Sequence, residues 1–248
     1  MIWRNYVTNN PLIKFTSFGY GVPEIEQNPP YPAKKHIPEY WKNIPRYHGK
    51  NDEKNVKEKT AVRGGVFLGL KHCMPYFDSM AAGWHFPLHT DVYVLRDSLG
   101  LPQVSWNHNQ HPVAPREVFE MPTPHGHYNK HFSWQMYWGI ETPPGWQLLL
   151  SHPINHYDLP FTTHAGLMDT DVYPLPGNVS FHIKDNFEGV IRAGTPIMSL
   201  LPVKRETWES TIDTDPESWQ KKQDLVAEKE TLVMHHYKDN YHIGVEYN

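Results

Sequence analysis

The chain is predicted to be mainly β, a distorted β-sandwich core carrying an extended N-terminal arm and one C-terminal helix. Three observations carry this. Short apolar and aromatic runs separated by turn residues fill the middle of the 248 residues, the pattern of strands joined by turns. Pro23, Pro29, Pro30, Pro32, Pro38 and Pro45 crowd the beginning, where each fixes φ and biases its predecessor away from helix. Asp215-Pro216-Glu217 then supplies a cap, a first-position proline and a first-turn acid ahead of an apolar stripe. The expected boundaries are residues 1–60 for arm and linker, 61–205 for the β core, and 206–248 for the acidic helix and tail.

Taken in order, the arm places Tyr31, Tyr40, Trp41 and Tyr47 at intervals, and these need burial on the chain's own core or on a partner subunit. His48 to Lys59 is charged and poor in apolar residues, so it reads as an exposed linker. From Val62 the pattern turns to β, with Phe86, Leu88, Val92, Val94 and Leu95 suggesting a strand pair and 133–140 an aromatic strand. Residues 102–130 are rich in proline and histidine without periodicity, and are predicted to form a long irregular excursion. Strands are expected at 147–150, 179–183 and 197–201. In the C-terminal helix Trp219, Leu225, Val226, Leu232 and Val233 recur at helical spacing, a stripe for docking on the core that needs no further partner.

Composition narrows the function. No segment approaches the roughly 20 apolar residues of a membrane span, and MIWRNYVTNNPLIKF lacks the continuous apolar stretch of a signal peptide. Cys73 is the single cysteine; it excludes an internal disulfide and is expected to be a buried, inert thiol. The net charge of −4 hides opposite ends. Residues 1–65 hold 11 Lys/Arg against 6 Asp/Glu, while 205–248 hold 5 against 10. Such ends suit pairing with each other or with neighbouring copies. The lysines are scattered among prolines and acids, so nucleic acid is not the expected partner.

Within 142–205, Pro143-Pro144-Gly145, then Gly166-Leu167-Met168-Asp169-Thr170-Asp171-Val172-Tyr173, then Gly194-Thr195-Pro196-Ile197-Met198-Ser199-Leu200-Leu201 follow one another. This series resembles the central motifs of the trimeric dUTPase family. The resemblance implies a β-clip core, with Asp169 at the water-activating position, Asp171 beside it, and Tyr173 one residue beyond the sugar-stacking position. It also implies trimeric association. The family's phosphate-binding arginine would fall at Ser151-His152-Pro153, where none stands, and no glycine-rich closing motif follows Arg205. A triphosphate needs fixed cations or a metal, so Asp169, Asp171 and Tyr173 remain weak catalytic candidates. Asp at turns more often accepts local backbone hydrogen bonds, and Asp169 and Asp171 are expected to cap a hairpin.

Seventeen histidines, twelve of them between Val66 and Lys204, offer further chemistry. His89-Thr90-Asp91 with a distal His182 matches the residue types of a two-histidine, one-carboxylate Fe(II) site, and Arg192 would serve 2-oxoglutarate. Such a site leaves positions open for cosubstrate and O₂. Against it, the pattern is short and histidines are abundant. His108, His111, His125, His127 and His131, and separately His235-His236, could hold zinc or nickel on association, though surface or satisfied-core histidine is the default for each. No Ser-His-Asp order, phosphate-binding loop or dinucleotide fingerprint occurs.

Four stretches together, Pro38-Glu39-Tyr40-Trp41-Lys42-Asn43-Ile44-Pro45, Lys71 to Met80, Thr142 to Trp146 and Gly166 to Tyr173, resemble a family of uncharacterised tailed-phage proteins, especially marine ones. That resemblance implies a viral context. The resulting expectation is a non-catalytic virion or assembly component without cofactor, acting through protein contacts in the virion or host cytoplasm. A Fe(II)/2-oxoglutarate oxygenase and a nucleotide-binding, degenerate dUTPase-like protein stand as alternatives.

Overall fold

A computed structural model of the chain describes residues 10–49, 66–116, 121–231 and 236–248. The linker predicted at His48 to Lys59 lies outside the described residues from 50 on, as do Val62, Leu232, Val233 and His235. The protein is mainly β, 33% strand and 19% helical, with several antiparallel sheets. The elements run β1 (Lys14–Ser17), α1 (Pro23–Glu26), β2 (Tyr31–Pro32), α2 (Glu39–Asn43), β3 (Tyr47–Gly49), β4 (Val66–Leu68) and α3 (Met74–Ala81). Then come β5 (Trp84–Pro87), β6 (Val92–Arg96), β7 (Pro102–Ser105), β8 (Val113–Pro115), β9 (His127–Gln135), β10 (Trp138–Glu141) and β11 (Trp146–Ser151). Last are β12 (Phe161–Thr163), β13 (Gly166–Met168), β14 (Asn178–Lys184), β15 (Gly189–Ile191), β16 (Pro196–Lys204), α4 (Pro216–Thr231) and α5 (His236–Asn240).

Two compact units divide the chain. The first joins the described residues up to Ala33 to Gly83–Glu206, and the second joins Lys34–Ala82 to Thr207–Tyr247. The predicted arm is therefore shared between the two.

The first unit holds two main sheets, β13-β11-β16-β5-β2 and β12-β14-β9-β8. Strand alternation builds its core: Phe132 and Trp134 on β9 and Val179, Phe181 and Ile183 on β14 are all buried. Trp134 stacks on Phe181 at 3.6 Å between ring centroids, and Phe161 meets Trp134 edge-on at 5.0 Å. Buried Thr163 ties the sheets together. Its hydroxyl accepts from Trp134 Nε1 at 3.0 Å and donates to the Ile197 carbonyl on β16 at 2.6 Å.

The N-terminal arm is less extended than predicted. Pro23 occupies the start of α1, where a missing N–H costs nothing, and Ile25 in that turn is 1% exposed. β1 pairs with β10 and β2 with β5, so residues 14–32 complete sheets of the core. Tyr31 packs edge-on against His85 at 5.8 Å. The excursion at 102–130 also contains strands. Pro102 begins β7 and Pro115 ends β8, and both are edge strands, the position where proline's missing donor is tolerated. Gly83 enters β5 at φ +70°, and a Cβ there would collide with the Leu200 carbonyl, so the residue must be glycine.

In the second unit Trp41 stacks on Tyr76 at 5.6 Å, and the Tyr40 and Tyr76 hydroxyls lie 2.8 Å apart. Cys73 is exposed, not buried, because it precedes α3 at the surface. The helix expected from Asp215-Pro216 is present as α4. Among its described side chains all except Ser218 are exposed, with Trp219 at 60% and Leu225 at 55%.

Candidate functional site: a carboxylate clasp and a histidine face

The three segments that carry the dUTPase resemblance lie in adjacent strands. β11 follows the turn at Gly145 (φ +81°), pairs with β13 on one side and with β16 on the other. Beyond the last register pair, Trp146 with Lys204, the Arg205 N–H donates to the Gly145 carbonyl at 2.8 Å. This fixes Arg205 beside the turn. After β13 the chain doubles back, with the Val172 and Tyr173 N–H groups donating to the Asp169 carbonyl at 3.1 and 2.8 Å.

The turn at Asp169-Thr170-Asp171 then sorts the side chains. Thr170 is fully buried, its hydroxyl 2.7 Å from that of Thr142. The two carboxylates turn toward Arg205. Arg205 Nη2 donates to Asp169 Oδ1 at 2.7 Å and to Asp171 Oδ1 at 2.8 Å, while Nη1 reaches Asp171 Oδ2 at 3.3 Å. Asp171 Oδ2 also accepts the Gly145 N–H at 2.9 Å. The Arg205 guanidinium, followed by the Gly145 N–H, holds the Asp171 carboxyl below its usual range. Only 5% of the Asp171 side chain is exposed, against 58% for Asp169.

The main chain of Asp169 closes the hairpin turn, but the carboxylates do not cap it as expected. They form a long-range clasp on a cation that arrives 34 to 36 residues later. Tyr173 stays at the surface, 54% exposed. Arg205 was the residue missed by sequence reasoning, and its signal was a basic residue ending the apolar strand that pairs beside Gly145.

His152, at the position of the family's arginine, is built into the fold. Its Nδ1 accepts the Thr163 N–H at 3.3 Å, so Nε2 carries the proton that it donates to the His156 carbonyl at 3.1 Å. Burial pushes its pKa down, consistent with a neutral ring.

The other histidines separate into distinct neighbourhoods. His89 sits in the bend before β6, and its Nε2 donates to the Gln110 carbonyl at 3.2 Å. Its ring packs on His108 at 5.1 Å and Tyr137 at 5.2 Å. Burial lowers its pKa. Asp91, beyond the bend, accepts the Ala193 N–H and Arg192 Nη1, both at 2.8 Å, and these donors, led by the backbone N–H, lower its pKa. Arg192 therefore serves Asp91 and is 71% exposed at its side chain.

His182 lies on β14, fully buried, directly across from His131 on β9 and Thr162 on β12. Its Nδ1 is 2.7 Å from His164 Nε2, and its ring lies 5.3 Å from that of His131 and 6.4 Å from that of His127. His182 Nε2 has no hydrogen-bond partner among the described residues. His127 Nδ1 donates to the His125 carbonyl at 3.0 Å, and its Nε2 lies 2.9 Å from the Thr162 hydroxyl. Burial, followed by the neighbouring His164, His131 and His127, pushes the His182 pKa down to about 4.

His89, Asp91 and His182 are thus each committed to different partners, and the strand pattern does not bring them together. Among the described residues no three His, Cys, Asp or Glu side chains are grouped so as to hold a metal ion. His127, His131, His164 and His182 share one face of the β12-β14-β9 sheet, a grouping that period-two alternation could have revealed once the strand register was known. No protein-family model matches the chain, and no curated protein matches it.

Proposed function

We propose that this is a phage-encoded, non-catalytic β protein that works in a virion or its assembly through protein–protein contacts. Its core is read as a dUTPase-like β-clip that lost its chemistry. The observation that carries the reading is the C-terminal segment, which leaves Trp208, Ile212, Trp219, Leu225, Ile243 and Val245 between 55% and 91% exposed. Apolar side chains kept in water at this density mark an interaction surface.

Two further points support it. Asp169 and Asp171 are engaged by Arg205, which leaves the water-activating position tied to a structural cation. The adjacency of the three motif strands, β13-β11-β16, supports the β-clip reading, and the segments resembling tailed-phage proteins support the viral context. Self-association, as a trimer in the manner of dUTPase-like cores, is the expected first contact.

Sedimentation of the full chain at micromolar concentration tests the association. The expected result is an oligomer that the double variant Trp219→Glu, Leu225→Glu reduces to monomer without changing the far-ultraviolet spectrum. A monomeric mass for the unaltered chain removes the trimer, and its absence from the mass spectrum of purified virions removes the structural role.

A further inference from the structure

The second unit contains a cleft of about 580 Å³ whose lining includes four cations, Lys42, Arg46, Lys71 and Lys238, together with Trp41 and Tyr47. We infer that this cleft binds a phosphate-bearing nucleotide, either free or at the end of a single strand. The volume falls within the roughly 300–1,000 Å³ of small-molecule sites.

The cations are positioned by the backbone. The Gly69 N–H donates to the Arg46 carbonyl at 2.7 Å, and a Cβ at Gly69 would lie 2.5 Å from the Pro45 carbonyl. Only glycine permits this crossing, which starts the β3-β4 pair at Tyr47 and Leu68 and fixes where Arg46 leaves the chain. Lys71 Nζ donates to the Lys42 carbonyl at 2.7 Å, so the ammonium of one residue is held against the backbone of another cation.

Charge in the cleft is unbalanced. Among the described residues no Asp or Glu lines the cleft, and Glu39 stands beside it, 2.8 Å from Lys42 Nζ. Gathering like charges this way is unfavourable until an anion joins them, and phosphate oxygens accept from guanidinium and ammonium groups in charge-assisted hydrogen bonds. A bare anion would have no use for the rings. Tyr47 lines the cleft half-buried, 4.9 Å from His72, while Trp41, buried and stacked on Tyr76 at 5.6 Å, offers only its edge beside the cations. Cations beside aromatic side chains are the combination that accommodates phosphate and base together.

Calorimetric titration of the full chain tests this with ATP, inorganic tripolyphosphate, a terminally phosphorylated thymidine oligonucleotide and a polyglutamate peptide. ATP is expected to bind with a dissociation constant below about 1 mM, and tripolyphosphate about tenfold more weakly because it lacks the ring. Arg46→Ala and Lys71→Ala are each expected to weaken ATP by about tenfold or more at an unchanged melting temperature. If either unfolds, Lys238→Ala, at an exposed position on α5, carries the same expectation. An oligonucleotide that binds more tightly than ATP assigns the cleft to a strand end, and one that binds no better assigns it to free nucleotide. Saturation by neither at about 1 mM, or tripolyphosphate or polyglutamate binding as tightly as ATP, overturns the proposal. The assembly reading concerns a different surface, so such a failure leaves it standing.

Discussion

Replacing His182 by glutamine should flatten the acid sensitivity of the fold. The unfolded chain protonates this imidazole near its ordinary value of 6.5, while the folded chain does so only near 4. The folded pKa is depressed, so more protons bind to the unfolded state throughout that window. The stability at stake is complete above about 6.5, falls as pH drops, and is gone below about 4. At about 1.4 kcal/mol per pH unit the loss is roughly 3 kcal/mol for a dry site, and nearer 2 kcal/mol once solvent reaching half-buried His164 is allowed for.

The groups facing His182 are His164, His131, His127 and Thr162, with Lys184 two residues along the strand, and none supplies a carboxylate to hold the added charge. Glutamine keeps a polar partner for His164 and cannot titrate. It should cost about 1 kcal/mol at pH 8 through the lost ring packing and altered hydrogen bond, yet lose less stability on acidification. Urea unfolding of both proteins at several pH values between about 8 and 4.5 measures this directly. His89 and His152 also titrate low, but they contribute to both proteins and cancel in the difference; His164, 2.7 Å from His182, is coupled to it, so the difference reads the pair. Equal pH slopes for the two would refute the argument.

Arg205→Gln should lower the melting temperature at neutral pH by opening the clasp. Because the Asp171 carboxyl is depressed, its contribution is present above the ordinary carboxylate range and lost as pH falls through the folded value. Melting temperatures of variant and unaltered chain should therefore converge as pH falls below the ordinary carboxylate range. Thr163→Val leaves the buried Trp134 N–H without its acceptor and should cost about 1–3 kcal/mol in chemical denaturation. Gly83→Ala meets both the positive φ and the Leu200 carbonyl, and a loss of about 2 kcal/mol or more is expected. Arg192→Ala, by contrast, removes an exposed partner of Asp91 and should change stability by less than about 1 kcal/mol.

The strands at 147–150, 179–183 and 197–201 were legible because alternation and turn residues are local signals, and the structure extends each by one to a few residues. The cap and proline at 215–216 marked α4 for the same reason. Burial of that helix was not legible. An apolar stripe states that a helix can dock, and the exposure of Trp219 and Leu225 depends on whether a surface is offered. The arm was over-read as extended, since proline at a first helical position and proline in the middle of a chain segment look alike until the turn around it is known.

The candidate sites divide on the same line. Asp169-Thr170-Asp171 announced two carboxylates and a buried threonine in sequence order. That they hold Arg205 required the register of β11 against β16, which places residue 205 beside residue 145. Histidine abundance was countable, but the partners that His89, Asp91 and His182 take, the Gln110 carbonyl, Arg192 with the Ala193 N–H, and His164, follow from the tertiary fold. The sequence by itself determined a mainly β chain with a capped helix near its C-terminus, because those follow from backbone preferences of neighbouring residues. Tertiary structure alone decided which distant charges meet, which histidines share one sheet face and which apolar side chains remain in water. Those outcomes depend on strand register and packing, and one residue of slip would send every side chain to the other face.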